Sequence, residues 1–244
     1  LKKQYWFIIL TYVLMHLSSV VGIPLLYFFG VGRGMEPAQA ELTLSGIWLI
    51  IAFSLCLVIV LLILRTAPKT TLRNGKKASA GASIAWAVGG VFLALFAQSI
   101  AASIEMNLLG VKPESENTQH IMQLINTIPL MIFVSSVFGP ILEEIIFRKI
   151  IFGAIYEKTN FFIAALFSSV LFSVVHMDFS HLLIYAAMGF TFAFLYVRTN
   201  RIIVPIFAHV AMNTLVVLIQ TFQGPIEEYL ERLEKMQLII GGFL

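Results

Sequence analysis

One cysteine, eight prolines and very little charge mark this 244-residue sequence by what it lacks. A lone Cys56 excludes an internal disulfide, and its place in an apolar run argues against a thiol nucleophile. Charged residues make up 12% of the chain, about half the share of a soluble domain. No GxSxG, HExxH or GxxxxGK[ST] occurs, so the usual signatures of serine hydrolases, zinc proteases and P-loop enzymes are missing. There is no internal repeat, low-complexity tract or candidate soluble domain.

What is present is hydrophobic. Apolar residues make up 59%, the mean hydropathy is +0.92, and the apolar residues fall in blocks of about 20, enough to cross a bilayer as helices. The expected fold is an all-α, polytopic transmembrane helical bundle with about seven to eight spans. Residues 1–244 are read as a single integral membrane domain, with a catalytic core at 122–222. Spans are expected at 5–29, 46–64, 84–109, 122–155 (broken or tilted), 161–176, 181–197 and 202–222. The first apolar run is too long for a signal peptide and lacks a small-residue cleavage site, so it is read as a retained span. The mixed-charge end, IEEYLERLEKMQLIIGGFL, reads as an interfacial helix or part of an eighth span.

The net charge of +3 and pI near 9.0 do not indicate nucleic-acid binding, because the basic residues cluster in short loops. The 65–77 loop carries five of them and no acid. With Lys2, Lys3, Lys149, Lys158, Arg198 and Arg201 on the same side, the positive-inside rule predicts a cytoplasmic N-terminus. The terse loops fit a multi-pass protein of a bacterial plasma membrane, in contact with lipid.

Charges inside spans are costly and need a partner or a task. Glu143, Glu144 and Arg148 share one segment, His176 ends FSVVH, and His209 and Asn213 lie in HVAMN. Glu144 and Arg148 are one helical turn apart and are the natural ion pair, which leaves Glu143 free to meet water or substrate. His209 and Asn213 also share a face. At 1.5 Å per residue, Glu143 and His176 both lie roughly 22 Å from the cytoplasmic side, and Asn213 about 18 Å. Pro140, after Gly139, suggests that the helix kinks or restarts there and places both glutamates in a first turn. His16 and Glu105 read as structural, His181 as a boundary residue and His120 as part of a polar loop. His176, near a helix end, also fits an interfacial position. A buried glutamate with two histidines suits either an activated water or a zinc site, so zinc and a metal-free route both stand as expectations. The same buried charges also fit a proton-coupled transporter, and the same cavity fits a non-catalytic peptide-binding or immunity protein.

The spacing EExxxR, FxxxH and HxxxN resembles the CPBP family, also called Abi or CAAX-protease-like, of intramembrane endopeptidases. EEIIFR supplies Glu143, Glu144 and Arg148; FSVVH supplies Phe172 and His176; HVAMN supplies His209 and Asn213. The resemblance covers about residues 140 to 213. It implies hydrolysis of a peptide bond in a hydrophobic peptide or membrane-protein substrate. Glu143 and His176 would then activate water, His209 and Asn213 would stabilise the oxyanion, and Glu144 and Arg148 would support the site. The family was long described as metalloprotease, and a glutamate-dependent, metal-free mechanism is favoured for its prenyl-protein members.

Overall fold

Proline positions and small residues set the breaks and crossings of the bundle. The computed structural model describes residues 2–68, 72–113 and 115–241, with side chains for all of these except 74, 224, 225 and 227–241. The described residues contain helices and no strand. In chain order they are α1 (Lys3–Leu17), α2 (Ser19–Phe28), α3 (Pro37–Thr66), α4 (Ala80–Leu108), α5 (Glu116–Thr127), α6 (131–156), α7 (Phe161–Val175), α8 (Leu182–Thr199) and α9 (Ile203–Gly241). Four helices are long and apolar enough to cross a membrane, and α1 with α2 makes a fifth, bent by 47°. The 15-residue α7 and the broken α5–α6 segment complete the expected order. The side chains of the mixed-charge C-terminal end lie outside the described set.

The bend between α1 and α2 is pinned from α3. Trp48 Nε1 donates to Ser18 Oγ at 3.0 Å, and the indole fills the space over Gly22, where any β-carbon would overlap it.

The break expected at Pro140 lies elsewhere. α5 ends at Thr127, and Ile128, which precedes Pro129, is extended (φ −136°, ψ 95°). This is the conformation that a following proline imposes. Helical backbone then runs unbroken through Pro140, so Glu143 and Glu144 are in mid-helix, not in a first turn.

α8 is the central helix. Half of its most apolar window is buried, against 17% for α3 and α4, whose exposed leucines, valines and phenylalanines face lipid. Its close neighbours are admitted by small residues: Gly189 lies against Ser169 of α7, and Leu195 against Gly90 of α4. One apolar cluster joins Tyr12, Val60, Ala94, Ile146, Phe172, Phe192 and Met212, one residue from each of seven helices. On the basic side, Asn200 in the left-handed conformation (φ 52°) closes α8 and receives the Leu72 N–H at 2.7 Å. Arg201 Nε donates to the Ala78 carbonyl at 2.8 Å, so the basic loop is held against the ends of the spans.

Glu105 of α4 is 1% exposed and has partners outside the main polar group. Its carboxylate meets His181 Nδ1 at 3.0 Å and accepts from the N–H groups of Leu183 (2.8 Å) and Ile184 (3.2 Å). A carboxylate from one span thus caps the N-terminus of another. His181 stands at the start of α8, the boundary position expected for it, and is 4% exposed.

Gly189→Val tests the α7–α8 crossing. The new β-carbon would clash with the Ser169 hydroxyl and stand 3.0 Å from its Cα. Thermal unfolding in detergent should show a loss of about 1–3 kcal/mol. Gly89→Val, with nothing within 4 Å of the new carbon, should melt like the parent.

Candidate active site

α6 is not a regular α-helix. Residues 134–138 and 144–152 are π-helical, with hydrogen bonds from i to i−5, as in the Gly139 N–H bond to the Val134 carbonyl. In that register the next donor would be residue 140, paired with the Ser135 carbonyl. Pro140 has no N–H, so Ser135 is left open, and Asn213 Nδ2 of α9 donates to it at 3.2 Å. The wide turn thus absorbs the proline without a kink and turns its missing hydrogen bond into a tether for Asn213. In the second π-helical stretch the Phe147 carbonyl also accepts from Ser168 Oγ of α7, at 2.7 Å.

Four of the six expected site residues converge directly. His209 stands between the two glutamates: Nδ1 donates to Glu144 Oε1 at 3.0 Å, and Nε2 lies 3.7 Å from Glu143 Oε2. The other side of the same Glu144 oxygen is 3.5 Å from Arg148 Nη1. Glu144 and Arg148 have no exposed side-chain surface, whereas the Glu143 side chain keeps 17%. The two adjacent glutamates therefore differ in kind, one locked in the charge cluster and one open to an incoming molecule.

Arg148 is held by charge and by rings more than by hydrogen bonds. No hydrogen bond to its guanidinium nitrogens occurs among the described residues. The group lies 4.2 Å from the ring centre of Phe172 and 5.4 Å from that of Phe192. Such contacts contribute up to about 2 kcal/mol when desolvated. Phe192 also stacks on His209, with centres 4.5 Å apart and planes at 21°. Nothing in the sequence marked Phe192, because an apolar ring within an apolar span carries no pattern of its own.

The FxxxH spacing acquires a physical reason. Phe172 is fully buried, and its carbonyl lies 2.8 Å from His176 Nδ1. A carbonyl only accepts, so Nδ1 carries the proton and Nε2 presents a lone pair. The Phe172 ring touches both histidines, with centres 4.5 Å from His176 and 6.0 Å from His209. His176 is within electrostatic reach of Glu143, His209 and Arg148. Asn213 joins through Ser135, and its second amide N–H is uncommitted among the described bonds.

The first helix contributes more than the sequence suggested. Tyr12 is buried and, like His16, lies within electrostatic reach of Glu143. His16 packs edge-on against Tyr12 (4.7 Å) and Phe53 (6.0 Å). His120 is an exposed residue of α5, apart from this group.

The donor set for a catalytic zinc is three protein ligands around one point. Among the described residues, no group of three or more His, Cys, Asp and Glu side chains is placed that way. The residues as arranged do not form a zinc ligand set, and the chemistry below is derived from the side chains alone.

Removing one partner of a buried ion pair strands the other. Arg148→Met should therefore cost about 3–5 kcal/mol of stability, read by unfolding in mixed micelles. Adding Glu144→Gln to it should restore part of that loss. An Arg148→Met protein as stable as the parent would contradict this account of the pair.

Comparisons with known proteins identify the family. A family model described as "Type II CAAX prenyl endopeptidase Rce1-like" matches residues 125–215, the stretch from the end of α5 through Asn213. The "Putative membrane peptidase YdiL" of Bacillus subtilis is 61% identical over 99% of both chains. The "Membrane-embedded CAAX protease MroQ" of Staphylococcus aureus is 32% identical over 88% of this chain and 89% of its own. No solved structure matches. With relatives of this closeness aligned along nearly its whole length, and with a multi-pass helical fold around the motif residues, the chain belongs to the CPBP family of CAAX-protease-like membrane endopeptidases.

Proposed function

We propose that this membrane endopeptidase hydrolyses a peptide bond within a hydrophobic peptide or membrane-protein segment, using a water activated by Glu143. The observation that carries the proposal is the unequal pair: Glu144 is sealed between Arg148 and His209, while Glu143 is partly exposed beside His209 Nε2.

The charge balance supports this reading. Two carboxylates and one guanidinium leave a single negative charge, and one further proton on His209 Nε2, 3.7 Å from Glu143 Oε2, brings the cluster to neutrality. Neutral clusters are the cheapest to bury. In the attacking step Glu143 takes a proton from water as the oxygen bonds to the scissile carbonyl carbon. His176 Nε2, the lone-pair nitrogen, orients that water. The oxyanion is met by His209 Nε2–H and by the second N–H of the Asn213 amide, both fixed beforehand by Glu144 and Ser135. On collapse the C–N bond breaks, and the proton held by Glu143 passes to the leaving amine, giving one new carboxyl and one new amino terminus.

Arg148 touches no reacting atom in this scheme. It supplies the positive charge beside Glu144, the acceptor for His209. The substrate would enter from the lipid side.

The test uses the full chain in phosphatidylglycerol-containing proteoliposomes with a pool of quenched-fluorescent hydrophobic peptides, the products being identified by mass spectrometry. Glu143→Gln should lower the cleavage rate by about 10²–10⁴-fold. Asn213→Ala should cost about 10²–10³-fold, mainly in kcat. Cleavage that survives Glu143→Gln would overturn the proposal. Peptide retained at equal affinity by parent and variant, with no product from either, would favour a binding or immunity role instead.

A further inference from the structure

Tyr185 belongs to none of the three motifs, yet it is the ring packed face to face on His176. The ring centres are 4.2 Å apart and the planes 28° from parallel. Phe172 approaches the imidazole at 61°, with a centre distance of 4.5 Å. His176 is thus held by two rings and by its Nδ1 hydrogen bond to the Phe172 carbonyl.

The backbone alone gives His176 little support. It sits just past the end of α7, where the helix tightens: its N–H bonds to Ser173 and that of Met177 to Val174, each to i−3. Met177 then turns into the left-handed region at φ 55°. A side chain on such a turn keeps its aim only if its neighbours hold it.

Those neighbours are tied to α5. Asn117 Nδ2, in the first turn of α5, donates to the Tyr185 hydroxyl at 3.2 Å. Ser115, the N-cap of α5, donates to Asp178 Oδ2 at 2.6 Å, two residues beyond His176. Asp178 is 8% exposed, so this contact is an internal one. Glu105 fixes the following residues through His181, Leu183 and Ile184. The turn carrying His176 is therefore gripped from α4 and α5, and only the Tyr185 contact reaches the imidazole itself.

We infer that Tyr185, tethered through its hydroxyl by Asn117, is a positioning residue that holds the His176 imidazole in the plane that aims Nε2 at the reacting water. The inference rests on the proposed role of His176, but the hold itself can be measured without turnover. The phenol hydroxyl is turned to Asn117 and Ser115 at the start of α5, so Tyr185 acts through His176.

The test is ¹⁵N NMR of the full-length, histidine-labelled protein in detergent, with the His176 signals assigned by their loss in His176→Ala. The parent should show one neutral tautomer, protonated on Nδ1. In Tyr185→Leu the ring loses its stack, and the two nitrogens should show exchange-averaged shifts. Tyr185→Phe keeps the stack and loses only the tether, so it should average partially. Asn117→Ala should average no more than Tyr185→Phe, and the double variant no more than Tyr185→Phe alone, because the Asn117 bond is one of those the hydroxyl makes. Where a cleaved peptide is in hand, Tyr185→Leu should lower kcat by about tenfold to a hundredfold with KM little changed. A single Nδ1-protonated tautomer in folded Tyr185→Leu protein would overturn the inference. So would effects of Tyr185→Phe and Asn117→Ala that add. If Tyr185→Leu fails to fold, the other two variants still decide. Cleavage that survives Glu143→Gln would instead sink the proposed chemistry and leave the tautomer result standing.

Discussion

His209 sits between two carboxylates in a region where no charge is tolerated alone, and that contact organises the rest of the site. An unpaired ion in a low-dielectric interior costs several kcal/mol even after relaxation. Glu144 meets that cost with two partners, His209 at 3.0 Å and Arg148 at 3.5 Å. Arg148, whose guanidinium has no hydrogen bond among the described residues, is enclosed by Phe172 and Phe192. The same two rings pack on His209. The support that makes the buried charges affordable therefore also fixes the imidazole beside Glu143.

The fold provides for this by departing from regular helix where the site lies. The first π-helical stretch in α6, followed by Pro140, releases the Ser135 carbonyl to Asn213 of α9, and in the second stretch Ser168 of α7 donates to the Phe147 carbonyl. In lipid such a released carbonyl must find a partner within the protein. The Ser135 bond therefore satisfies the backbone, and both bonds lock a neighbouring helix in register. Glu105 shows the contrasting solution. It too is a buried carboxylate beside a histidine, but the N–H groups at the start of α8 take up one of its oxygens. It fastens two spans and the turn after α7.

Side-chain types and their spacing carried much of this in the sequence. The i, i+4 relation of Glu144 to Arg148 and of His209 to Asn213 placed each pair on one face, and the rough depth match placed three helices at one level. Pro140 misled because the rule for proline in an α-helix does not cover a π turn, whose register depends on tertiary partners such as Asn213. The break at Pro129 obeyed the local rule that Pro140 escaped. Tyr185, Phe192 and the first-helix pair Tyr12 and His16 could not be found from spacing. They reach the site through crossings between helices distant in the chain, and aromatic residues are common throughout such spans. Glu105 and His181 are 76 positions apart and became partners only when α4 and α8 packed together.

The central claim is that water is activated by Glu143 within a charge-balanced set of side chains. Its most direct test is to measure peptide cleavage and metal content on the same sample, after exhaustive dialysis against a chelator. The account predicts that cleavage persists at metal levels far below one per chain and still depends on Glu143. Cleavage that vanishes with the metal and returns in proportion to added zinc would contradict it.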